Sequence, residues 1–445
     1  MIQKILIANR GEIARRIIHT CKKMNIKTVA IYSESDKQAP YVSMADEAFL
    51  VGPAPVKDSY LNVDKIIEIA KYSEADAIHP GYGFLSENSE FARKCEENSI
   101  IFIGPSATVI KQMGSKIEAR RLMEEAGVPV VPGITFSLKD VNEALDVAGS
   151  IGYPIMLKAS AGGGGIGMQI VNNEEDLIKA FDSNSKRVLS FFGDGQMYME
   201  KFIENARHIE IQLLADKHGE TVFLWERECS IQRRHQKVIE ESPSSFLDEH
   251  TRQEMGKTAV LAAQSIGYEN AGTIEFLVDE KKNFYFLEMN TRLQVEHPVT
   301  EEITKIDIVE QQILIANREH LAFKQEDIQR IGHAIEARIY AEDPVTFYPS
   351  PGTIEKMELP MMEYIRHELA VEKGSVISHY YDPMIGKLIC HGADRADTIK
   401  KLNEALHQYL IEGIKTNIPL LLKIINHPSF HNGETYTNFI NKHIN

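Results

Sequence analysis

The sequence has few cysteines, no long hydrophobic run and no low-complexity tract. The four cysteines lie far apart and include no C-x-x-C pair, so neither a disulfide framework nor a structural zinc site is expected. No run of 18 apolar residues is present, and the apolar stretch before Asn9 is too short for a signal peptide. These absences predict a protein of the reducing cytoplasm that has no membrane partner.

The chain also lacks an excess of basic residues. It has 49 Lys plus Arg against 64 Asp plus Glu, which gives a net charge of −15. Because nucleic-acid-binding proteins carry a basic footprint, this balance argues against nucleic acid as a partner. An anionic ligand would have to be attracted by a local cluster of basic side chains.

A chain of 445 residues is too long for one ordinary core. We predict three domains, at 1–114, 115–330 and 331–445, with a lid at about 133–203 inside the second. Strands and helices alternate through the first domain, and this alternation predicts a doubly wound parallel sheet. The last domain is predicted to be a closing α+β lobe.

Two loops of the first domain follow predicted strands. The turn around Gly11 carries one glycine where a dinucleotide fingerprint needs three, so NAD binding is a weak interpretation. The segment His79–Glu87 leaves the end of a strand, where open sheets bind ligands. An ordinary turn with Gly81 and Gly83 at positive φ is an equally good interpretation.

A glycine-rich segment follows the predicted strand Tyr153–Lys158. It contains four consecutive glycines within Ala159–Met168, and extended structure resumes after it. Backbone N–H groups without side chains can approach a phosphate closely. No helix and no Gly-Lys-Ser/Thr follows, so this is not a Walker P-loop, and we predict a hairpin lid rather than a flexible linker.

The most informative stretch is a predicted hairpin of Gly272–Asp279 and Phe284–Pro298. Symmetric pairing about the polar turn sets Glu275 directly opposite Glu288. Two carboxylates about 5 Å apart repel by roughly 3 kcal/mol at an effective dielectric near 20. A divalent cation would remove this conflict, and with the Asn290 carbonyl the oxygen ligands suit Mg²⁺ or Mn²⁺. The alternative is a solvated hairpin face with both acids in water.

Polar residues continue at every second position after Glu288. In an extended strand Asn290, Arg292, Gln294 and Glu296 would share one face with it. A cation, a guanidinium and a further acid on one face favour phosphoryl chemistry over a solvated surface.

A second donor-rich segment spans Glu226–Glu241. Alone it is typical of a solvated face, yet Gln232, His235 and Lys237 offer several donors to an anion the size of bicarbonate or phosphate. Further along, Arg338 shares one face of a predicted strand with an acid. A structural salt bridge is the default interpretation for that arginine.

Six motifs together resemble the biotin carboxylases of the ATP-grasp superfamily over essentially the whole chain. They are Ile7–Ala14, His79–Asn88, the glycine lid, Gln232–Lys237, Glu288–Thr300 and Tyr380–Asp382. The resemblance implies an α/β fold: a doubly wound domain, an ATP-grasp domain with a glycine-rich lid, and a C-terminal α+β lobe. It also implies carboxylation of biotin on a carrier protein, driven by MgATP and bicarbonate through carboxyphosphate.

The resemblance assigns roles to individual residues. Those implied around ATP are Lys116, Lys158, Gly163, Gly164, Gly165, Met168, Glu200, Lys201, Ile203, His208, Gln232, His235, Leu277, Gln294 and Val295. Those implied for the metal are Glu275, Glu288 and Asn290. Those implied for bicarbonate are Lys237, Arg292, Gln294 and the Val295 backbone. Glu296 would be the general base, and Arg338 would stabilise the biotin enolate.

The same resemblance implies partners: a biotin carboxyl carrier protein, carboxyltransferase subunits and a second copy of the chain, as in an acetyl-CoA carboxylase of fatty acid biosynthesis. No Ala-Met-Lys-Met biotinylation site is present, so biotin would arrive on a separate protein. Ile166 stands where the family carries an arginine or lysine, and Tyr340 where it carries asparagine. Two alternatives stay open: another ATP-grasp carboxylate ligase, or a non-catalytic nucleotide-binding regulator.

Overall fold

The computed structural model describes residues 1–160, 167–192 and 195–444. The chain begins with alternating strands and helices. They are β1 (Lys4–Ile7), α1 (Gly11–Lys23), β2 (Lys27–Ser33), α2 (Pro40–Met44), β3 (Glu47–Gly52), α3 (Val63–Tyr72), β4 (Ala77–His79), α4 (Ser89–Glu97) and β5 (Ile101–Phe102). The five strands are parallel, in the order β3-β2-β1-β4-β5, and they confirm the predicted doubly wound sheet.

Both faces of this sheet are covered by apolar packing. Alternate residues of β1 point to opposite sides, so Ile5 and Ile7 pack with α1 while Leu6 packs with α3 and α4. The strand order reverses between β1 and β4, and ligands of open sheets bind at such a point. There the Asn9 amide donates to the carbonyls of Pro80 and Tyr82, both at 2.7 Å, and joins the two loops.

Two helices follow the first sheet, α5 (Ala107–Gly114) and α6 (Lys116–Glu125). Ser115 between them has extended backbone angles, and its hydroxyl accepts a hydrogen bond from the Glu118 N–H. The serine therefore caps a new helix, as serine side chains commonly do.

The predicted lid is a small unit of its own. It contains α7 (Val141–Ile151), β6 (Ile155–Ala159), β7 (Gln169–Val171), α8 (Glu174–Phe192) and β8 (Met197–Lys201). Strands β6 and β7 pair antiparallel, and this pairing confirms the predicted hairpin. Its tip, with Gly163, Gly164, Gly165 and Ile166, lies outside the described residues.

The rest of the molecule contains an eight-stranded sheet together with the helices and short strands that flank it. Its first part has β9 (Arg207–Ala215), β10 (Thr221–Arg233), β11 (Gln236–Ser242), α9 (Glu249–Ser265), β12 (Asn270–Val278), β13 (Phe284–Asn290), α10 (His297–Thr304) and α11 (Ile308–Ala316). The last part has β14 (His333–Tyr340), β15 (Gly352–Thr353), β16 (Lys356–Glu358), β17 (Ile365–Leu369), β18 (Val376–Ile377), β19 (Met384–Gly392), α12 (Arg395–Gln408), β20 (Leu410–Glu412), α13 (Ile418–Ile425), α14 (Pro428–His431) and α15 (Phe439–His443). The strand order is β13-β12-β9-β10-β11-β14-β19-β17, so strands from both sides of position 330 share one sheet.

The predicted register of the β12–β13 hairpin is confirmed where it matters, because Glu275 pairs with Glu288. Between that pair and the turn, a bulge shifts the register by one residue. The strand predicted to reach Pro298 is wrong beyond Asn290, where β13 ends. Glu296 precedes α10 with bridge-region angles, and a proline near a helix start favours this ending.

Within the described part of the chain, no helix combines the length and the apolar composition needed to cross a bilayer. All four cysteines are free and buried.

Candidate active site

A cavity of about 610 Å³ lies where the first sheet, the lid and the long sheet meet. Most of the predicted site residues line it: Lys116, Lys158, Met168, His208, Gln232, His235, Lys237, Glu275, Glu288, Asn290, Arg292, Gln294, Val295, Glu296 and Arg338. Among the predicted residues that the structure describes, four do not line it: Glu200, Lys201, Ile203 and Leu277. The cavity also contacts both loops at the switch point of the first sheet, through Asn9 and Tyr82 among others.

Lys237 is the hub of the cavity. Its ammonium lies 2.6 Å from Glu210, 2.9 Å from Glu275 and 2.6 Å from Glu296. Burial would lower the pKa of Lys237, but the three carboxylates outweigh it and raise the pKa well above its ordinary value. Ligand atoms of His208, Glu210 and Glu275 also cluster within 4.8 Å of one another, and this same ammonium neutralises that cluster.

Glu296 is held between two cations. One carboxylate oxygen faces the Lys237 ammonium, and the other accepts a 2.9 Å hydrogen bond from the Arg338 guanidinium. Burial alone would raise the pKa of Glu296, but Lys237 and Arg338 hold it below its ordinary value. Arg338 also donates from its Nε to Glu240 at 2.6 Å, and its Nη2 contacts both glutamates. The carboxylate is therefore ionised and fixed at neutral pH.

The opposed pair Glu275 and Glu288 differs in how its members are held. Glu275 accepts hydrogen bonds from Asn290 at 2.9 Å and Gln294 at 3.0 Å, and His208 lies 3.0 Å from its other oxygen. Glu288 accepts no hydrogen bond from any described residue. Its enclosure and the charge of Glu275 raise its pKa.

These two carboxylates fit a divalent cation. Both line the cavity, both offer hard oxygen ligands, and a bound cation would relieve their repulsion. The Asn290 carbonyl oxygen already accepts a 2.9 Å hydrogen bond from Arg292, so the carboxylates are the stronger candidates for ligands.

Arg292 is tied to its neighbours at several points. It donates to Glu87 at 2.9 Å and to the Gln294 side chain at 2.9 Å. Glu87 ends the His79–Glu87 loop, and both Gly81 and Gly83 there have positive φ. The loop is thus both a glycine turn and a support for the cavity.

The opposite end of the cavity carries further cations. The Lys158 ammonium contacts Glu200, which also accepts a 2.9 Å hydrogen bond from Arg120. Glu200 therefore lies behind Lys158 and does not face the cavity. The Lys201 ammonium donates away from the cavity, to the carbonyls of Gly152 and Tyr153 at 2.9 and 3.0 Å.

His208 lies between this end and the carboxylates. Its Nδ1 pairs with the Gln232 amide at 3.0 Å. Burial would lower the pKa of His208, but Glu275 raises it to about 9. The imidazole faces the cavity beside Lys237.

Sequence reasoning missed several residues that hold this site. Glu210 contacts Lys237 and accepts a 2.6 Å hydrogen bond from the buried Arg227. A signal existed, because the alternation that brings His208 to the site brings Glu210 to the same strand face. The interpretation of Glu226–Glu241 as a solvated face is wrong, since most of that segment is buried.

Lys387 gave no such signal, because apolar residues surround it in β19. It is wholly buried, and its ammonium donates to the Val295 carbonyl at 2.8 Å. It also lies 3.1 Å from Glu12, which accepts a hydrogen bond from the Tyr82 hydroxyl. This chain of contacts fixes the backbone of Val295, the residue before Glu296.

Three family profiles match the chain in succession. They are described as "Biotin carboxylase, N-terminal domain" over residues 1–110, "Carbamoyl-phosphate synthase L chain, ATP binding domain" over residues 115–324, and "Biotin carboxylase C-terminal domain" over residues 336–442.

Similar proteins include "Biotin carboxylase 2" of Bacillus subtilis, which is 62% identical over 100% of both chains. The mitochondrial propionyl-CoA carboxylase alpha chain of Mus musculus is 53% identical over 98% of this chain and 61% of its own length. Among solved structures, the biotin carboxylase domain dimer of Hydrogenobacter thermophilus 2-oxoglutarate carboxylase, in complex with MgADP, ADP and bicarbonate, superimposes with a TM-score of 0.97. It is 50% identical over 100% of this chain and 98% of that one.

Proposed function

The chain belongs to the biotin carboxylase family, and from this membership we propose that it carboxylates carrier-bound biotin with MgATP and bicarbonate. The family is shown by the matching profiles and the full-length relative, and its members are ligases. The single observation that carries the site assignment is the position of Glu296 between Lys237 and Arg338. Glu296, the proposed base, therefore has a cation on each side. Each cation can stabilise one of the two anions that form in sequence, carboxyphosphate and the biotin enolate.

ATP would occupy the end of the cavity lined by Lys116, Lys158, His208 and Gln232, with the glycine lid over its phosphates. Glu275 and Glu288 would hold Mg²⁺ or Mn²⁺, which neutralises phosphate charge when bound. Glu200 would orient Lys158 from behind. Lys201, Ile203 and Leu277 stay predictions as contacts of the nucleotide.

Bicarbonate would bind beside Lys237, Arg292, Gln294 and the Val295 backbone. Glu296 would take its proton, so that a bicarbonate oxygen attacks the γ-phosphorus and ADP leaves. The product, carboxyphosphate, would then break down to CO₂ and phosphate.

The phosphate released with CO₂ would then take the N1′ proton of biotin, and N1′ would form its new bond to the carbon of CO₂. Arg338 would stabilise the negative charge that develops on the biotin oxygen, because a fixed guanidinium in a buried site needs no reorganisation. Glu240, which accepts a hydrogen bond from Arg338, would keep the guanidinium in position. Arg338 would thus combine the salt bridge expected by default with a role in catalysis.

The partners are part of the proposal. We place the protein in the cytoplasm, as a homodimer that works with a biotin carrier protein and carboxyltransferase subunits. For the final acceptor we favour acetyl-CoA, within fatty acid biosynthesis. The relatives named above include a propionyl-CoA carboxylase, so acceptor assays should compare both acyl-CoA esters with the purified partner subunits.

Bicarbonate-dependent ATP hydrolysis, measured with and without free biotin, tests the function. Hydrolysis that needs bicarbonate and rises with biotin supports the proposal. Hydrolysis driven by a different carboxylate would identify another ATP-grasp ligase. Nucleotide binding without turnover would identify a regulator.

A further inference from the structure

A second cavity of about 590 Å³ adjoins the active cavity. The two share five lining residues: Arg10, Ala370, Tyr381, Asp382 and Met384. None of these is a predicted nucleotide, metal or bicarbonate residue. Met384 pairs across the sheet with Tyr340, two residues from Arg338, so the junction lies at the biotin end of the active cavity.

The junction carries no net positive charge, because its charged groups are the Arg10 guanidinium and the carboxylates of Asp36 and Asp382. The Arg10 guanidinium forms two hydrogen bonds to Asp36, at 2.5 and 2.7 Å, and lies 4.0 Å from the centre of the Tyr381 ring. The Tyr381 hydroxyl is fixed in turn by the Ala54 carbonyl at 2.7 Å. An ion pair beside an aromatic ring, an alanine and a methionine suits a neutral ligand better than a phosphate.

The outer walls of the second cavity come from two separate surface elements. The single helical turn Glu34–Asp36 forms one wall, and the segment from Val371 to Ser378 forms the other. Val376 on the second wall is 68% exposed, and nearby Tyr380 is 44% exposed. These exposed apolar side chains offer a contact for a folded domain at the mouth.

We infer that this second cavity is the route by which the biotinylated lysine arm of a carrier domain reaches Arg338. The inference rests on the proposed function and adds a separate entrance for one substrate. ATP occupies the opposite end of the active cavity, so an arm tethered to a bulky domain needs its own approach. A junction without net positive charge disfavours an anionic ligand, and Ala370, Val376 and Met384 offer apolar contacts to the uncharged bicyclic head and hydrocarbon chain of biotinyl-lysine.

The test narrows the route with one tryptophan from either wall. Val376→Trp and Ser35→Trp each start from an exposed side chain, so neither removes a core contact. Val345→Trp is the matched control, because Val345 is 77% exposed and lines neither cavity. The two substrates are free biotin and a small folded domain biotinylated on a single lysine.

Both cavity variants should lower kcat/KM for the biotinylated domain by about 10-fold or more, since a steric clash in a fitted passage discriminates strongly. Turnover with free biotin should stay at the level of the control, because a small molecule that carries no folded domain can still pass the narrowed opening. Wild-type rates with the biotinylated domain in both variants would overturn the inference, as would an equal loss with both substrates. If the wild-type protein carboxylates neither substrate, the proposed function itself fails.

Discussion

Several pairs of glutamates lie directly opposite each other in the long sheet, and two of these pairs differ in chemistry because their surroundings differ. Glu275 pairs with Glu288 between β12 and β13, and Glu240 pairs with Glu336 between β11 and β14. The first pair lines the cavity, where a cation from solution can reach it. The second pair lies within the sheet and lines no part of that cavity.

In the inner pair, Glu240 and Glu336, one carboxyl group keeps a proton, and this removes the repulsion between two negative charges. Glu336 is fully buried, and neither of its carboxylate oxygens has a hydrogen-bond partner among the described residues. Burial raises its pKa well above the ordinary value, and the charge of Glu240 adds to the effect. Burial likewise raises the pKa of Glu240 to about 7, although Arg338 opposes the shift.

The comparison shows that opposed acids do not by themselves specify a metal site. Access from the cavity decides whether a pair of acids can bind a metal, because a divalent cation needs room for the waters and phosphate oxygens that complete its coordination. Where no such room exists, one carboxyl group retains its proton. The following predictions test this distinction, from the largest expected effect to the smallest.

Glu288→Gln should abolish most metal-dependent turnover, by more than about 100-fold, because an amide replaces a direct carboxylate ligand and direct ligands matter more than their supports. ATP hydrolysis as a function of Mg²⁺ concentration measures the loss. Glu280→Gln, in the exposed turn of the same hairpin, is the control and should have no effect. An unchanged rate in Glu288→Gln would rule out the metal assignment.

Glu240→Gln should lower biotin-dependent turnover by about 10-fold, because Arg338 loses the charge-assisted hydrogen bond that holds its guanidinium beside Glu296. As a positioning residue, Glu240 should affect only the biotin half of the reaction. Hydrolysis of ATP without biotin should therefore change little. Equal losses in both assays would show that the role is only structural.

Glu336→Gln should change the pH dependence of stability. Because the folded-state pKa of Glu336 is raised, its favourable contribution is complete below the unfolded pKa of about 4.3 and is lost as the pH rises toward the folded value. Glutamine cannot ionise, so the free energy of unfolding of the variant should not fall with pH in this way. Above a pH of about 4.3, the variant should gain about 1 kcal/mol over the wild-type protein per pH unit.

Urea unfolding midpoints measured from pH 5 to pH 8 provide this test. Glu204→Gln, at an exposed position, is the control and should follow the wild-type curve. Parallel curves for Glu336→Gln and the wild-type protein would show that Glu336 is ionised in the folded protein.

Glu87→Gln should have the smallest effect. The Glu87 side chain is 39% exposed, and exposed ion pairs contribute little because solvent screens them. We expect the KM for bicarbonate to rise by about threefold, since Arg292 keeps its other partners. A loss of activity as large as that of Glu288→Gln would mean that the ion pair of Glu87 and Arg292 contributes far more than a solvent-screened pair can.

The sequence allowed the central hairpin to be predicted in register, because strand periodicity and a four-residue turn leave few ways to pair the two strands. It did not allow the bulge after Glu275 or the end of β13 at Asn290 to be predicted. Arg292, Gln294 and Glu296 still reach the cavity, but through a loop and a helix start. Helices α7, α8 and α9 were not predicted, because they carry none of the motifs from which the site was inferred.

The candidate site divides in the same way. Lys237 was named because it lies in a donor-rich segment, whereas the roles of Glu296 and Arg338 were implied by the resemblance to the family. Glu210 and Lys387 came only with the fold, since each acts on a residue far away in the chain.

The amino-acid sequence alone was enough to predict the doubly wound sheet of the first domain, the opposition of Glu275 and Glu288, and the family. Only the tertiary structure decided that Glu296 lies between Lys237 and Arg338, and that one acid pair faces a cavity while the other is sealed. The physical reason is that periodicity and turns act between near neighbours in the chain. Burial and charge pairing depend on segments that packing alone brings together.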